Sequence, residues 1–272
     1  MFARWQRIQA VARLSLLDGM RRHALIGLVV LALALQCGGL FFFGFIPRDI
    51  GRASSDFIFS VSWLSGMIFL FFHAVQAMAW GEERRVIHTL LARPISRAEY
   101  VVGVFVGLGA LLALLNLLLG GLGWGVLKII QQMVSADYFP QFSLGHFLLT
   151  WAGIYLVELT LLAVIMLFSG MVRGNFTVLL MTLSYYFICN GLPVVRQALV
   201  SRPGENEGLA TLLKWATALF PDFSRVDYKL YVVSAQALPG LPILLYQYGV
   251  LILYAVLALW AACVIYQGRD LK

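Results

Sequence analysis

The chain has 272 residues, 61% of them hydrophobic and 12% charged, with a formal net charge of +7 and a mean hydropathy of +0.86. Soluble domains carry about 25% charged and about 45–50% apolar residues, so this composition describes an integral membrane protein. The basic residues are dispersed around apolar runs instead of gathered on a soluble face, which excludes nucleic acid as the expected partner.

Residues 1–22 are basic and amphipathic. Trp5, Ile8, Ala12, Leu16 and Met20 recur at helical spacing, with Arg4, Arg7, Asp18 and Arg22 opposite them, which predicts a helix lying in the membrane interface against lipid. The first apolar run begins near Ala24. At about twenty residues it exceeds the roughly 7–15 of a signal peptide's core, so it reads as an uncleaved anchor. Five further runs follow, each near the roughly 20 residues that cross a bilayer. The expectation is an all-α membrane protein in one domain over 1–272, with six transmembrane helices at about 24–46, 57–80, 100–127, 146–171, 176–195 and 243–266.

Arg173, Gly174 and Asn175 make a tight turn between the fourth and fifth spans, and Asn190-Gly191-Leu192-Pro193 is expected to stop or bend the fifth. The segment 209–220 is apolar but too short to span, and it reads as a helix at the outer interface. The loop 196–242 around it either meets an extracytoplasmic partner or only caps that face. Orientation follows from Lys and Arg. With the N-terminus inside, that side holds twelve: Arg4, Arg7, Arg13, Arg21, Arg22, Arg84, Arg85, Arg93, Arg97, Arg173, Arg269 and Lys272. The short segments of the other side hold only Arg48, Arg52 and Lys128, so both termini are expected to be cytoplasmic.

Gly81 to Gly103 is the one strongly charged run held tightly between two long apolar segments. Glu82, Glu83, Arg84, Arg85, Arg93, Arg97 and Glu99 alternate there with Val86, Ile87, Leu90 and Leu91. Those four apolar residues form one stripe on a helix, with Arg85 and His88 on its other side. Pro94 breaks the run. Ser96 with Glu99 three residues later then reads as a capping box that starts the next span. An amphipathic helix, a sharp turn and a capped membrane helix together read as a docking surface, the alternative being a solvated, positive-inside anchor.

Catalytic signatures are missing. There is no phosphate-cradling G-x-x-x-x-G-K-[ST], no H-E-x-x-H and no G-x-S-x-G, and His23, His73, His88 and His146 are scattered. No catalytic residue, metal or cofactor is expected in this chain. Cys37, Cys189 and Cys263 lie far apart in apolar runs and read as small buried hydrophobes. Glu158 falls near the middle of the fourth span, where a carboxyl is costly. It is either a cation, proton or substrate-path group, or a structural carboxyl hydrogen-bonded to a neighbouring helix, with Asn116 of the third span as one partner. Gly103-x-x-x-Gly107 and Gly121-x-x-x-Gly125 permit close helix contact.

The 81–103 stretch resembles the first cytoplasmic loop of ABC-2 type transporter permeases, particularly the subgroup that includes the NosY-like permeases. The matching residues are Glu82-Glu83-Arg84, Thr89-Leu90-Leu91, Pro94-Ile95-Ser96-Arg97 and Gly103. The six-span layout, the basic N-terminus and the helical loop before the last span also fit. His88 stands where members often have glycine, and Val104 where they often have lysine. The resemblance implies that 82–92 is a coupling helix seated in a groove of a separate cytoplasmic ATPase, which binds the ATP and Mg. It implies a non-catalytic permease subunit, an exporter, in a bacterial inner membrane, paired with a second copy or a related permease. Two other classes compete: an ATPase-linked membrane scaffold that moves no substrate, and a cation- or proton-coupled transporter using Glu158.

Overall fold

The computed structural model describes residues 2–21, 23–43, 49–78, 95–140, 142–201, 208, 211, 215, 220–233 and 238–268. Every regular element among them is helical. The main helices are α1 (Phe2–Met20), α2 (His23–Phe43), α3 (Ile50–Ile68), α4 (Arg97–Met133), α5 (Leu144–Met171), α6 (Asn175–Ser201) and α7 (Leu241–Gly268). Short 3₁₀ turns lie at Ala136–Tyr138, Phe223–Val226 and Lys229–Val232. Past Ile68, α3 continues through a wide π turn over Phe69–Ala74, and the whole rod runs Ile50–Met78.

Among the described residues five helices are long and apolar enough to cross a membrane: Ile50–Met78, Arg97–Met133, Leu144–Met171, Asn175–Val195 within α6, and Leu241–Gly268. In α2 the apolar stretch Ile26–Gly39 is shorter than these. The second span starts at Ile50 and not near 57, because Gly51, Ser54 and Ser55 are buried against the bundle and extend its packed face. The third runs on to Met133, burying Ile130 beyond the expected end at 127. The fifth does not stop at Pro193. Its helix continues to Ser201 with the proline inside it. Pro193 removes one backbone donor, a loss that transmembrane helices tolerate where neighbours re-satisfy the freed carbonyl. Cys189 and Leu192, both buried, hold this turn against the bundle.

Local sequence explains the helix ends. Ser143 caps α5 by accepting from the His146 backbone N–H at 3.2 Å. Gly174, at φ +109°, makes the turn from α5 to α6 in a conformation that side chains disfavour.

Burial sorts the helices. In α5, Leu161 to Met166 is buried on every side, so this helix is the axis of the bundle. By contrast α7 buries a single stripe, Leu251, Ala255, Ala262 and Tyr266, mainly against α5. The N-terminal helix lies along α4. Its buried face is Val11, Ala12 and Gly19, while Trp5 and Met20 of the expected apolar face are exposed. The face is rotated because Gly103 and Gly107 let α1 come in close. A Cβ on Gly103 would stand 2.6 Å from the Val11 Cβ, and one on Gly107 would stand 2.6 Å from the Ala12 carbonyl oxygen. Gly121 and Gly125 have no such neighbour within 4 Å, so that second glycine pair makes no close contact among the described residues.

Candidate functional site

Two polar constellations stand out, one at the start of α4 and one deep in the bundle. At the first, Ser96 caps α4 as the sequence predicts. Its hydroxyl accepts from the Glu99 backbone N–H at 3.2 Å, and its own N–H donates to Glu99 Oε2 at 2.9 Å. The other carboxylate oxygen, Oε1, meets Arg7 Nη2 of α1 at 3.1 Å. Arg7 is therefore not on a solvated face, as the amphipathic pattern had it, but turned inward to a carboxylate that is almost wholly buried. Arg97 donates to the carbonyls of Tyr266 and Gln267 at 3.4 and 3.1 Å, at the C-terminal end of α7. A cation there is favoured by both the carbonyls that end a helix and the helix dipole. Three residues within one turn, Ser96, Arg97 and Glu99, thus tie three helices together where the 81–99 stretch enters the bundle.

The remaining residues of the expected docking surface, Glu82, Glu83, Arg84, Arg85, Val86, Ile87, Leu90 and Leu91, lie outside the described residues, as does Pro94.

Replacing Glu99 with alanine removes the cap and the ion pair together. The expected loss is about 1–2 kcal/mol, most of it from the cap, because Arg7 is a third exposed and its pairing is screened. Thermal unfolding in detergent of Glu99→Ala beside Ser96→Ala checks this. The two should lie close together, with Glu99→Ala the lower.

The second constellation joins three helices at mid-bundle. Glu158 of α5 is fully buried. Asn116 of α4 donates from Nδ2 to Glu158 Oε2 at 2.6 Å, and to the Leu112 carbonyl at 3.0 Å. Glu158 Oε1 and Asn116 Oδ1 have no hydrogen-bond partner among the described residues. Facing them on α3 is Gly66, where a Cβ would stand 1.8 Å from Glu158 Oε1 and 2.4 Å from Cδ. The carboxyl occupies the room a side chain would take. One turn on, α3 widens into its π turn, a distortion often found beside functional groups. Nearby, Tyr155 donates to the Gly109 carbonyl at 3.1 Å, and Gln36 of α2 donates to Ser62 of α3 at 3.0 Å.

Glu158 and Asn116 were both legible as intramembrane polar residues. Gly66, Arg7 and Gln36 were not, and only the Ser-Gly-rich face of α3 hinted at the first of them. No group of three or more metal-ligating side chains that could hold an ion occurs among the described residues.

These observations define a helical membrane protein with one polar knot at a helix start and one carboxyl buried deep in the bundle. No protein-family model matches the chain, and no curated protein matches it.

Proposed function

We propose that the chain is the permease subunit of an ATP-binding cassette transporter of the ABC-2 type, an exporter in a bacterial inner membrane. In this reading it has six spans, α2 being the first, and both termini are cytoplasmic. A separate ATPase binds ATP and Mg and docks on Glu82–Leu91. A second copy or a related permease completes the path.

One observation supports this beyond the sequence resemblance. The Ser96–Glu99 knot joins the exit of the 81–99 stretch to α1 through Arg7 and to the end of α7 through Arg97. A push on that stretch would reach three helices at once. A solvated anchor loop needs no such connection.

The test is co-purification. Tagged wild-type chain, extracted from its own membranes, should retain an ATP-binding cassette subunit. The variant Glu83→Ala/Arg85→Ala/Leu90→Asp should lose it while still inserting and melting as wild type does. Equal retention by both would remove the coupling helix from the account.

A second reading rests on Glu158, whose buried Oε1 has no partner among the described residues. A carboxyl so placed suits a cation- or proton-coupled transporter. Uptake or efflux driven by an ion gradient, with no ATPase present and abolished by Glu158→Gln, would favour it.

A further inference from the structure

At the 223–233 end of the bundle two cavities meet at one lysine. The first, of about 430 Å³, is a cleft between α3 and α6 floored by Gly153, Ile154 and Val157 of α5. An aromatic wall lines it: Trp63 packs on Tyr186 with ring centres 5.4 Å apart, and Tyr186 stacks on Phe223 at 6.4 Å. The second, of about 810 Å³, is polar, and Asp49, Arg52, Ser55, Asp56 and Asp137 line it. Lys229 lines both. Each volume falls in the range of about 300–1,000 Å³ typical of small-molecule sites.

The order of the linings along α3 fixes how they are joined. The polar chamber takes Asp49 to Asp56, and the cleft takes Ser60 to Leu64. At 1.5 Å per residue the pair extends about 22 Å along one helix, polar at the end and aromatic toward mid-membrane. The roof is fixed and not a floppy loop. Val226 is buried, its carbonyl oxygen would lie 2.4 Å from a Cβ on Gly153, and Tyr228 stacks flat on Tyr248 with ring centres 6.2 Å apart.

The chamber holds both signs of charge, and Arg52 reaches Asp56 only at 3.9 Å. Lys229 Nζ lies 3.7 Å from Asp227. Ser55 supplies the observation that points to an occupant: the residue lines the chamber at 1% exposure, and its hydroxyl has no hydrogen-bond partner among the described residues. Buried hydroxyls are ordinarily satisfied, so this one awaits a donor or acceptor from outside the chain.

We propose that chamber and cleft form one binding site for a zwitterionic amphiphile bearing a phosphate and an amine. The phosphate takes Arg52 and Lys229, which otherwise face the Asp56 carboxylate, with Ser55 beside it. The amine faces Asp49 and Asp137, and the chain lies along Trp63, Tyr186 and Phe223. A purely anionic headgroup would meet three aspartates, and a purely cationic one would meet Arg52 and Lys229. The inference deepens the permease reading by naming a cargo class, and rests on it for transport only. Binding belongs to this chain alone.

The experiment is titration of the full-length chain, in neutral maltoside micelles without any ATPase, with a medium-chain lysophosphatidylethanolamine. Chain-matched alkyl phosphate and alkyl trimethylammonium are the comparisons. The zwitterion should bind saturably and about tenfold or more tightly than either. Lys229→Met, which keeps the side-chain stem, and Ser55→Ala should each weaken it several-fold, with unchanged melting temperatures. Tyr186→Leu should weaken all three probes alike. Equal, non-saturating uptake of the three probes would overturn the proposal, and so would wild-type affinity in Lys229→Met. An ATPase that co-purifies while the zwitterion fails to bind overturns this inference and leaves the permease reading intact. The opposite pair of results does the reverse.

Discussion

Gly66→Val is expected to destabilise the chain by on the order of 3 kcal/mol, enough to lower its yield in the membrane sharply. An exposed carboxyl would swing away from the new side chain at little cost. Glu158 has nowhere to swing. It is fully buried, and its Oε2 is held by Asn116 at 2.6 Å, so making room for a Cβ at 1.8 Å from Oε1 breaks that hydrogen bond inside the bundle. The valine methyls would reach further still. Two penalties then add: overpacking between α3 and α5, and a buried polar group stripped of its partner. The diagnostic measurement is a double-mutant cycle by thermal unfolding in detergent. Glu158→Ala alone should destabilise by leaving a cavity and by taking from Asn116 one of its two hydrogen bonds. In combination with Gly66→Val, the alanine removes the clash, so the double variant should be more stable than Gly66→Val alone. Strict additivity of the two changes would mean that Gly66 and Glu158 do not meet.

The second large effect is expected at Gly107. Here the obstacle is backbone, not the end of a flexible side chain. A Cβ would lie 2.6 Å from the Ala12 carbonyl oxygen and 2.7 Å from the Ser15 Cβ. Only movement of α1 as a body relieves that, so Gly107→Leu should lift α1 from α4 along its length. Ala12, buried at 9% exposure, reports on it. In the wild-type background an Ala12→Cys thiol should react slowly with a water-soluble maleimide. In Gly107→Leu it should react at least about tenfold faster, as expected when local opening changes by on the order of 1–3 kcal/mol. Arg7 would leave Glu99 in the same motion, so the variant also tests whether the helix-start knot depends on α1. A control substitution at Gly121, which has open space around it, should leave the rate unchanged.

What the sequence made legible was decided by the range of the interaction. The membrane helices are properties of composition over twenty or more residues, and they were readable. So was the Ser96–Glu99 cap, because both partners lie within one turn of chain. Glu158 and Asn116 stood out as polar residues inside apolar runs, and their pairing across 42 residues needed only that two polar groups in a bundle find each other. Features that depend on the rotation of one helix against another were not readable. Arg7 belonged by spacing to a solvated face, yet the close approach at Gly103 and Gly107 turns α1 until that arginine reaches Glu99. Gly66 carries no chemistry of its own and acquires a role only through the carboxyl facing it. Gly121 and Gly125 have the same spacing as Gly103 and Gly107, and nothing local says which pair meets a helix. The run through Pro193 illustrates the same limit, since a proline ends a helix in water more readily than inside a packed bundle.

The knot also gives a physical meaning to the charged stretch before it. Arg97 and Glu99, the latter set by the Ser96 cap, bind the start of α4 to α1 and to the end of α7 through contacts of 3.1 to 3.4 Å. In the proposed permease, force from an ATPase at 82–92 would enter the bundle at this point.

The most direct measurement is site-specific photo-cross-linking from that stretch in native membranes. A benzophenone side chain at Leu90 should give an adduct with an ATP-binding cassette subunit, identified by mass spectrometry. The same probe at Leu117 of α4, which is 73% exposed on an apolar helix face, should give none. An absence of any nucleotide-binding subunit in the Leu90 adduct, or equal yields from both positions, would contradict the permease account at the joint on which it depends.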